Sequence, residues 1–144
     1  TKEESVLRPG TDGNLSVVER TVSKESQNAA GEKRATVETY ASDPASLADG
    51  LRLEQRVITV QRKGGDGVQS TDKEIEQRNP GRPSDGLRVT EQAIDIVRQA
   101  GPITRETQTL RSLDSNRELG VVSVDTRKQE NAPAVQVDIA PAKP

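Results

Sequence analysis

The sequence predicts an all-β fold of antiparallel β-hairpins that repeat about every 36 residues. Three observations predict it. The run Asp12–Val17 returns as Asp49–Leu53 and again as Asp85–Val89, at steps of 37 and then 36 residues, and self-similarity at a fixed period marks a repeat architecture. Each start opens about a dozen residues rich in Val, Ile, Leu and Thr, followed by a glycine-containing break, a second polar strand-like run and a break rich in Pro, Ser and Asp. The apolar positions also change parity inside the first strand of every copy. A meander of hairpins is the arrangement these features favour, and a sandwich-like packing of the same strands is the alternative.

The parity change is specific. In the second copy Leu51, Leu53 and Val57 share one parity and Ile58 and Val60 take the other. Leu87, Val89 and Ala93 give way in the same manner to Ile94 and Ile96, and Leu15 and Val17 give way to Val18 and Val22. One extra residue in a strand flips every later side chain to the other face, so the pattern predicts a β-bulge in each copy, the alternative being a strand buried on one face at one end and on the other face at the other. The partner strands, Ala35–Tyr40, Val68–Gln77 and Ile103–Leu110, are rich in Thr, Glu, Gln and Arg. They are expected to pair through the backbone and through cross-strand charge and Thr contacts, with at least one solvated face.

Turn chemistry sets the boundaries. Lys63–Gly67 and Ala100–Pro102 supply glycine where a tight hairpin needs positive φ, and the prolines of Asp43–Gly50 and Asn79–Gly86 cannot donate to a ladder and so mark loops between units. The organisation is therefore an N-terminal arm over 1–11 and a hairpin-repeat domain over 12–128, followed by a strand or tail over 129–144. The domain divides into units 12–48, 49–84 and 85–118 and a partial unit 119–128 that opens with Leu119–Thr126. Thr90–Ala100 carries a weak helical periodicity, but it occupies the same place in its unit as strand-like residues in the others, and the repeat decides for strand.

Composition limits what this fold can do. Only 30% of residues are hydrophobic, Tyr40 is the one aromatic residue, and Phe, Trp, Met, Cys and His are absent, so the large side chains that dominate most cores are missing. Ordering a residue costs about 1.5 kcal/mol, and at roughly 25 cal/mol per Å² each would have to bury about 60 Å² of apolar surface to break even. Isolated Val, Leu and Ile between charged neighbours fall short of that within one small body. Order is then expected to come partly from neighbouring chains, with disorder as the alternative that a 31% charged composition allows.

Charge excludes other classes. The net charge is −2, and Lys and Arg alternate with Asp and Glu along the same runs, as in Arg52, Glu54 and Arg56. No basic stripe and no stacking aromatics exist for a nucleic acid. No apolar run approaches a membrane span, and a lipid-facing barrel band with aromatic girdles is missing. Without His or Cys there is no ordinary nucleophile–base pair and no usual transition-metal set, so no catalytic residue, metal site or cofactor is expected. Asp66, Gly67 and Asp72 do not fit a calcium loop and read as hairpin-turn sequence. Asn14–Ser16 matches a glycan acceptor pattern at a strand start, and Glu74 and Glu76 read as a solvated strand face. The chain opens on the polar Thr1–Glu4 without Met and is read as a trimmed product of a longer precursor.

The runs Val18–Val22, Thr36–Tyr40, Ser84–Val89 and Leu119–Thr126 are similar to those of uncharacterised bacterial proteins with degenerate β repeats, over most of the chain. That resemblance implies a bacterial, exported protein. Functional weight therefore falls on the sheet edges, where unpaired backbone groups recruit further strands. The candidate assembly residues are Val6 and Leu7 near the start and Val135, Val137 and Ile139 near the end. The expected function is a structural subunit that assembles with copies of itself into an extracellular filament, sheath or surface layer. A cell-surface interaction module or stalk that binds another surface protein is the second expectation, and a disordered spacer the third.

Overall fold

A computed structural model describes residues 1–43 and 50–130. They form one antiparallel sheet of eight strands in sequential order: β1 (Lys2–Pro9), β2 (Leu15–Gln27), β3 (Lys33–Ser42), β4 (Leu51–Lys63), β5 (Val68–Arg78), β6 (Leu87–Ala100), β7 (Ile103–Leu113) and β8 (Leu119–Glu130). A 3-10 turn, Pro83–Asp85, interrupts the loop before β6. The fold is therefore all-β, and of the two arrangements left open by the sequence it takes the meander. Residues 1–11 contribute β1, and β8 runs to Glu130 across the boundary expected at 129.

Every even-numbered strand carries a bulge. Val6 pairs with Glu19 and Leu7 with Val17, so Val18 is skipped; in the same way the pairing passes over Glu54, Thr90 and Val122. Val18, Glu54 and Thr90 are spaced by 36 residues. The skipped residue restores to one face what the sequence had split between two parities. Leu51 and Leu53 join Ile58 and Val60, Leu87 and Val89 join Ile94 and Ile96, and Leu15 and Val17 join Val22. Val57 and Ala93, which share parity with the first group in sequence, point the other way.

Two faces result. On the striped face the even strands present Leu, Val and Ile, while the odd strands between them present Arg34, Thr36 and Glu38, then Asp72, Glu74 and Glu76, then Thr107, Thr109 and Arg111. Apolar stripes thus stand two strand spacings apart, roughly 9–10 Å, too far for their side chains to close over the polar strand. The reverse face holds a shorter apolar row in which Val37, Val57 and Ile75 lie directly opposite one another. Among the described residues no second layer covers either face, and none is fully buried.

Local polar contacts secure the bulges and turns. Arg78 donates from Nε (3.0 Å) and Nη2 (2.8 Å) to the Leu53 carbonyl beside the β4 bulge and from Nη1 to the Pro83 carbonyl. At the β6 bulge Thr90 Oγ1 donates to the Ile75 carbonyl at 3.3 Å. The recurring Asp-Gly has a backbone cause: Gly13, Gly50 and Gly86 have φ of 80, 74 and 78 just before β2, β4 and β6, where a side chain would be strained. Arg117 takes the same conformation before β8 without being glycine, at φ 63.

Deleting Thr90 should return Leu87 and Val89 to the face opposite Ile94 and Ile96 and lower stability by about 2 kcal/mol. Urea unfolding of this variant beside a control that lacks Gly65, in the hairpin turn, measures the difference; equal losses from the two would show that the bulge does not matter.

Candidate functional site

The features that distinguish parts of this sheet are its two open edges and its rows of charge. Among the described residues β1 and β8 each pair on one side only. The large apolar side chains most exposed to water gather there: Val6 (46%) and Leu7 (53%) on β1, Leu15 (66%) opposite Pro9, and Val121 (55%), Val122 (59%) and Val124 (57%) on β8. In the central strands β4 and β6 the equivalent residues are half-buried. An exposed edge of this length with apolar side chains invites strand addition.

The structure places the expected assembly residues unevenly. Val6 and Leu7 lie on β1, with Leu7 on the striped face beside Val17 and Val6 on the reverse face beside Glu19. Val135, Val137 and Ile139 lie outside the described residues, as does Asp49 of the repeated Asp-Gly. Sequence reasoning did not single out Val121, Val122 and Val124. The signal was present, since β8 opens a partial unit whose second strand is not among the described residues.

Ion pairs run across the striped face in rows. Arg56 on β4 bridges Glu38 on β3 (3.0 Å) and Glu76 on β5 (2.9 Å), and Tyr40 donates its hydroxyl to Glu38 at 2.8 Å. The Tyr40 hydrogen bond, with Arg56 beside it, holds the Glu38 carboxyl below the usual range, and the same bond pushes the Tyr40 hydroxyl up. Further along β4, Arg62 bridges Glu32 (2.8 Å) and Asp72 (2.7 Å). These acid–base–acid rows hold neighbouring strands in register, and they fix Asp72 as an ion-pair member apart from the Asp66 turn. Glu74 accepts from Gln92 Nε2 at 2.9 Å. Asn14 is drawn into the turn before β2, donating from its side chain to Asp12 at 3.1 Å.

On the reverse face two groups are poorly served, Arg88 Nε and one oxygen of Asp95. Asp95 Oδ1 is shut off from water without a hydrogen-bond partner among the described residues, and burial together with the neighbouring Glu106 carboxylate pushes the Asp95 carboxyl up. An unsatisfied carboxylate costs stability in its ionised form.

A shallow depression of about 280 Å³ on the striped face is lined by Ile58, Val60, Ile94, Asp72 and Glu74 among others. It is an open furrow between two apolar stripes, without a nucleophile–base pair. No helix among the described residues is long and apolar enough to cross a membrane. No protein-family model matches the chain, and no curated protein or solved structure matches it. The reading of function therefore rests on the geometry of this sheet.

Arg56→Ala should cost about 1 kcal/mol at neutral pH, because its row is only half-buried. The Glu38 contribution is present above its ordinary value of 4.5 and is lost as the pH falls through the lower folded value, so the gap between wild type and Arg56→Ala should narrow in acid. Thermal melts from pH 7 to pH 3 measure it. Asp95→Asn has the opposite sign. It should raise Tm by a few degrees at pH 7, and the gain should vanish in acid once the wild-type carboxyl is protonated in both states.

Proposed function

We propose that this chain is a non-catalytic structural subunit that assembles with copies of itself into an extracellular filament, sheath or surface layer. The observation that carries the reading is a single-layer sheet in which no described residue is fully buried and which ends in two open edges bearing exposed valine and leucine. Contact between copies takes these side chains out of water, as neighbours do in repeat arrays and obligate oligomers. Each buried valine or leucine contributes roughly 1.5–3 kcal/mol relative to exposure, which offsets part of the roughly 4–15 kcal/mol cost of association, and the backbone ladder of an added strand contributes the remainder.

Composition supports the same reading. The chain contains no Cys, Met, His or Trp, so the main oxidation-prone side chains are missing from a material that persists outside the cell. The evenly mixed charges favour strand-to-strand ion pairs over attraction to nucleic acid. An interaction module that binds another surface protein is the competing reading, and the open striped face is the feature that favours it.

Light scattering over a wide concentration range, with electron microscopy of the same samples, should show concentration-dependent growth into filaments or sheets. Val121→Lys with Val124→Lys should raise the concentration needed for growth at least tenfold while leaving the melt of the monomer unchanged, since both side chains are exposed. A compact monomer at every concentration would sink the structural-subunit reading in favour of the interaction module, and a random-coil circular dichroism spectrum throughout would favour a spacer.

A further inference from the structure

The two open edges are complementary halves of one repeat. In each hairpin the ladder stops one residue short of the bulge, at Glu19 with Ala41, Gln55 with Gln77 and Glu91 with Ser112. The skipped residues Val18, Glu54 and Thr90 therefore face Ser42, Arg78 and Leu113, the last residues of β3, β5 and β7. β1 belongs to this odd-numbered class. Its register shift lies between Val6 and Leu7, as far from its last residue, Pro9, as the shifts at Thr39/Tyr40, Ile75/Glu76 and Leu110/Arg111 lie from theirs. β8 belongs to the even-numbered class, with its bulge at Val122.

We propose, building on the structural-subunit reading, that β8 of one copy pairs antiparallel with β1 of a second copy in the register of the internal hairpins. Val122 then faces Pro9. The ladder has stopped at that point, so a proline there forfeits no ladder hydrogen bond. The same register sets Val124 against Leu7 on the striped face, Arg127 against Glu4 on the reverse face and Lys128 against Glu3 on the striped face.

Charge makes this pairing selective. Within the chain Arg98 lies opposite Arg105, and Arg105 lies opposite Lys128. This row is three cations deep and runs out at the open edge of β8, and none of the three makes an ion pair with a described residue. Glu3 of the second copy ends the row with an anion. On the reverse face Glu106 lies opposite Arg127, and Glu4 of the second copy completes an acid–base–acid row like Glu38–Arg56–Glu76. Opposite charges directly across a ladder stabilise it and like charges destabilise it. The contact joins different surfaces of the two copies, so every dimer keeps one free β1 edge and one free β8 edge, to which further copies add in the same register.

Charge reversal tests the pairing. One variant carries Glu3→Lys with Glu4→Lys, and the other carries Arg127→Glu with Lys128→Glu. Each alone should need at least a tenfold higher concentration than wild type to grow, whereas an equimolar mixture should grow near the wild-type concentration as an alternating polymer. Circular dichroism melts verify that both variants remain folded. Because the chain contains no Cys, Leu7→Cys with Val124→Cys offers an independent reading of register. Under a mild oxidant it should yield a disulfide-linked ladder of oligomers, and Leu7→Cys with Ser123→Cys should not. Growth of either charge variant alone as readily as wild type, a mixture that fails to grow, or dimers that grow no further would overturn this contact while leaving self-assembly standing. A wild-type chain that stays monomeric overturns both.

Discussion

The bulge on each even-numbered strand is the constraint from which the remaining structure follows. A β-strand alternates strictly, so a strand of 13 residues such as β2 or β4 that keeps one apolar parity throughout needs no irregularity. These strands change parity midway, and only an inserted, unpaired residue lets both halves face the same side. Once Val18, Glu54, Thr90 and Val122 are skipped, Leu, Val and Ile from all four strands share one face, and the polar odd strands between them carry the ion-pair rows. The bulge also fixes where each ladder stops, and with it the register that a further strand must adopt.

A sheet organised this way cannot bury much by itself. Its apolar stripes are separated by polar strands, so they form furrows, and stability comes from ladder hydrogen bonds, half-buried cross-strand pairs and the charge rows. Three or more strands with an apolar face suffice for an ordered sheet, and adjacent hairpins support one another as neighbours do in a repeat array. The central strands benefit from neighbours on both sides, while β1 and β8 have one each. Exposure of valine and leucine at these edges is the deficit that the ends of a repeat array carry, and the proposed contact with a second copy would meet it.

Much of this is legible in the sequence. The 36-residue period, the hairpin units, the bulges and the turn role of Asp-Gly all left direct marks in the residue order, because backbone sterics act locally and repeat with the chain. The ion rows were only half-legible. Arg52, Glu54 and Arg56 announce alternating charge, but whether Arg56 meets Glu38 and Glu76 depends on pairing across strands 18 and 20 residues away in sequence. The raised Asp95 carboxyl was not legible at all, since Glu106 becomes its neighbour only through the β6–β7 register.

The sequence by itself determined the period, the strand class and the thinness of the core, since these follow from side-chain type and local spacing. The tertiary structure decided that the strands lie in one layer and that the halves split by parity reunite on one face. It also decided that the arm expected at the start of the chain is a full edge strand. These depend on which strand lies beside which, a long-range matter of backbone pairing that no local pattern encodes. The complementarity of β1 and β8 has the same origin: two segments more than a hundred residues apart become halves of one repeat only when the sheet between them places them at opposite edges.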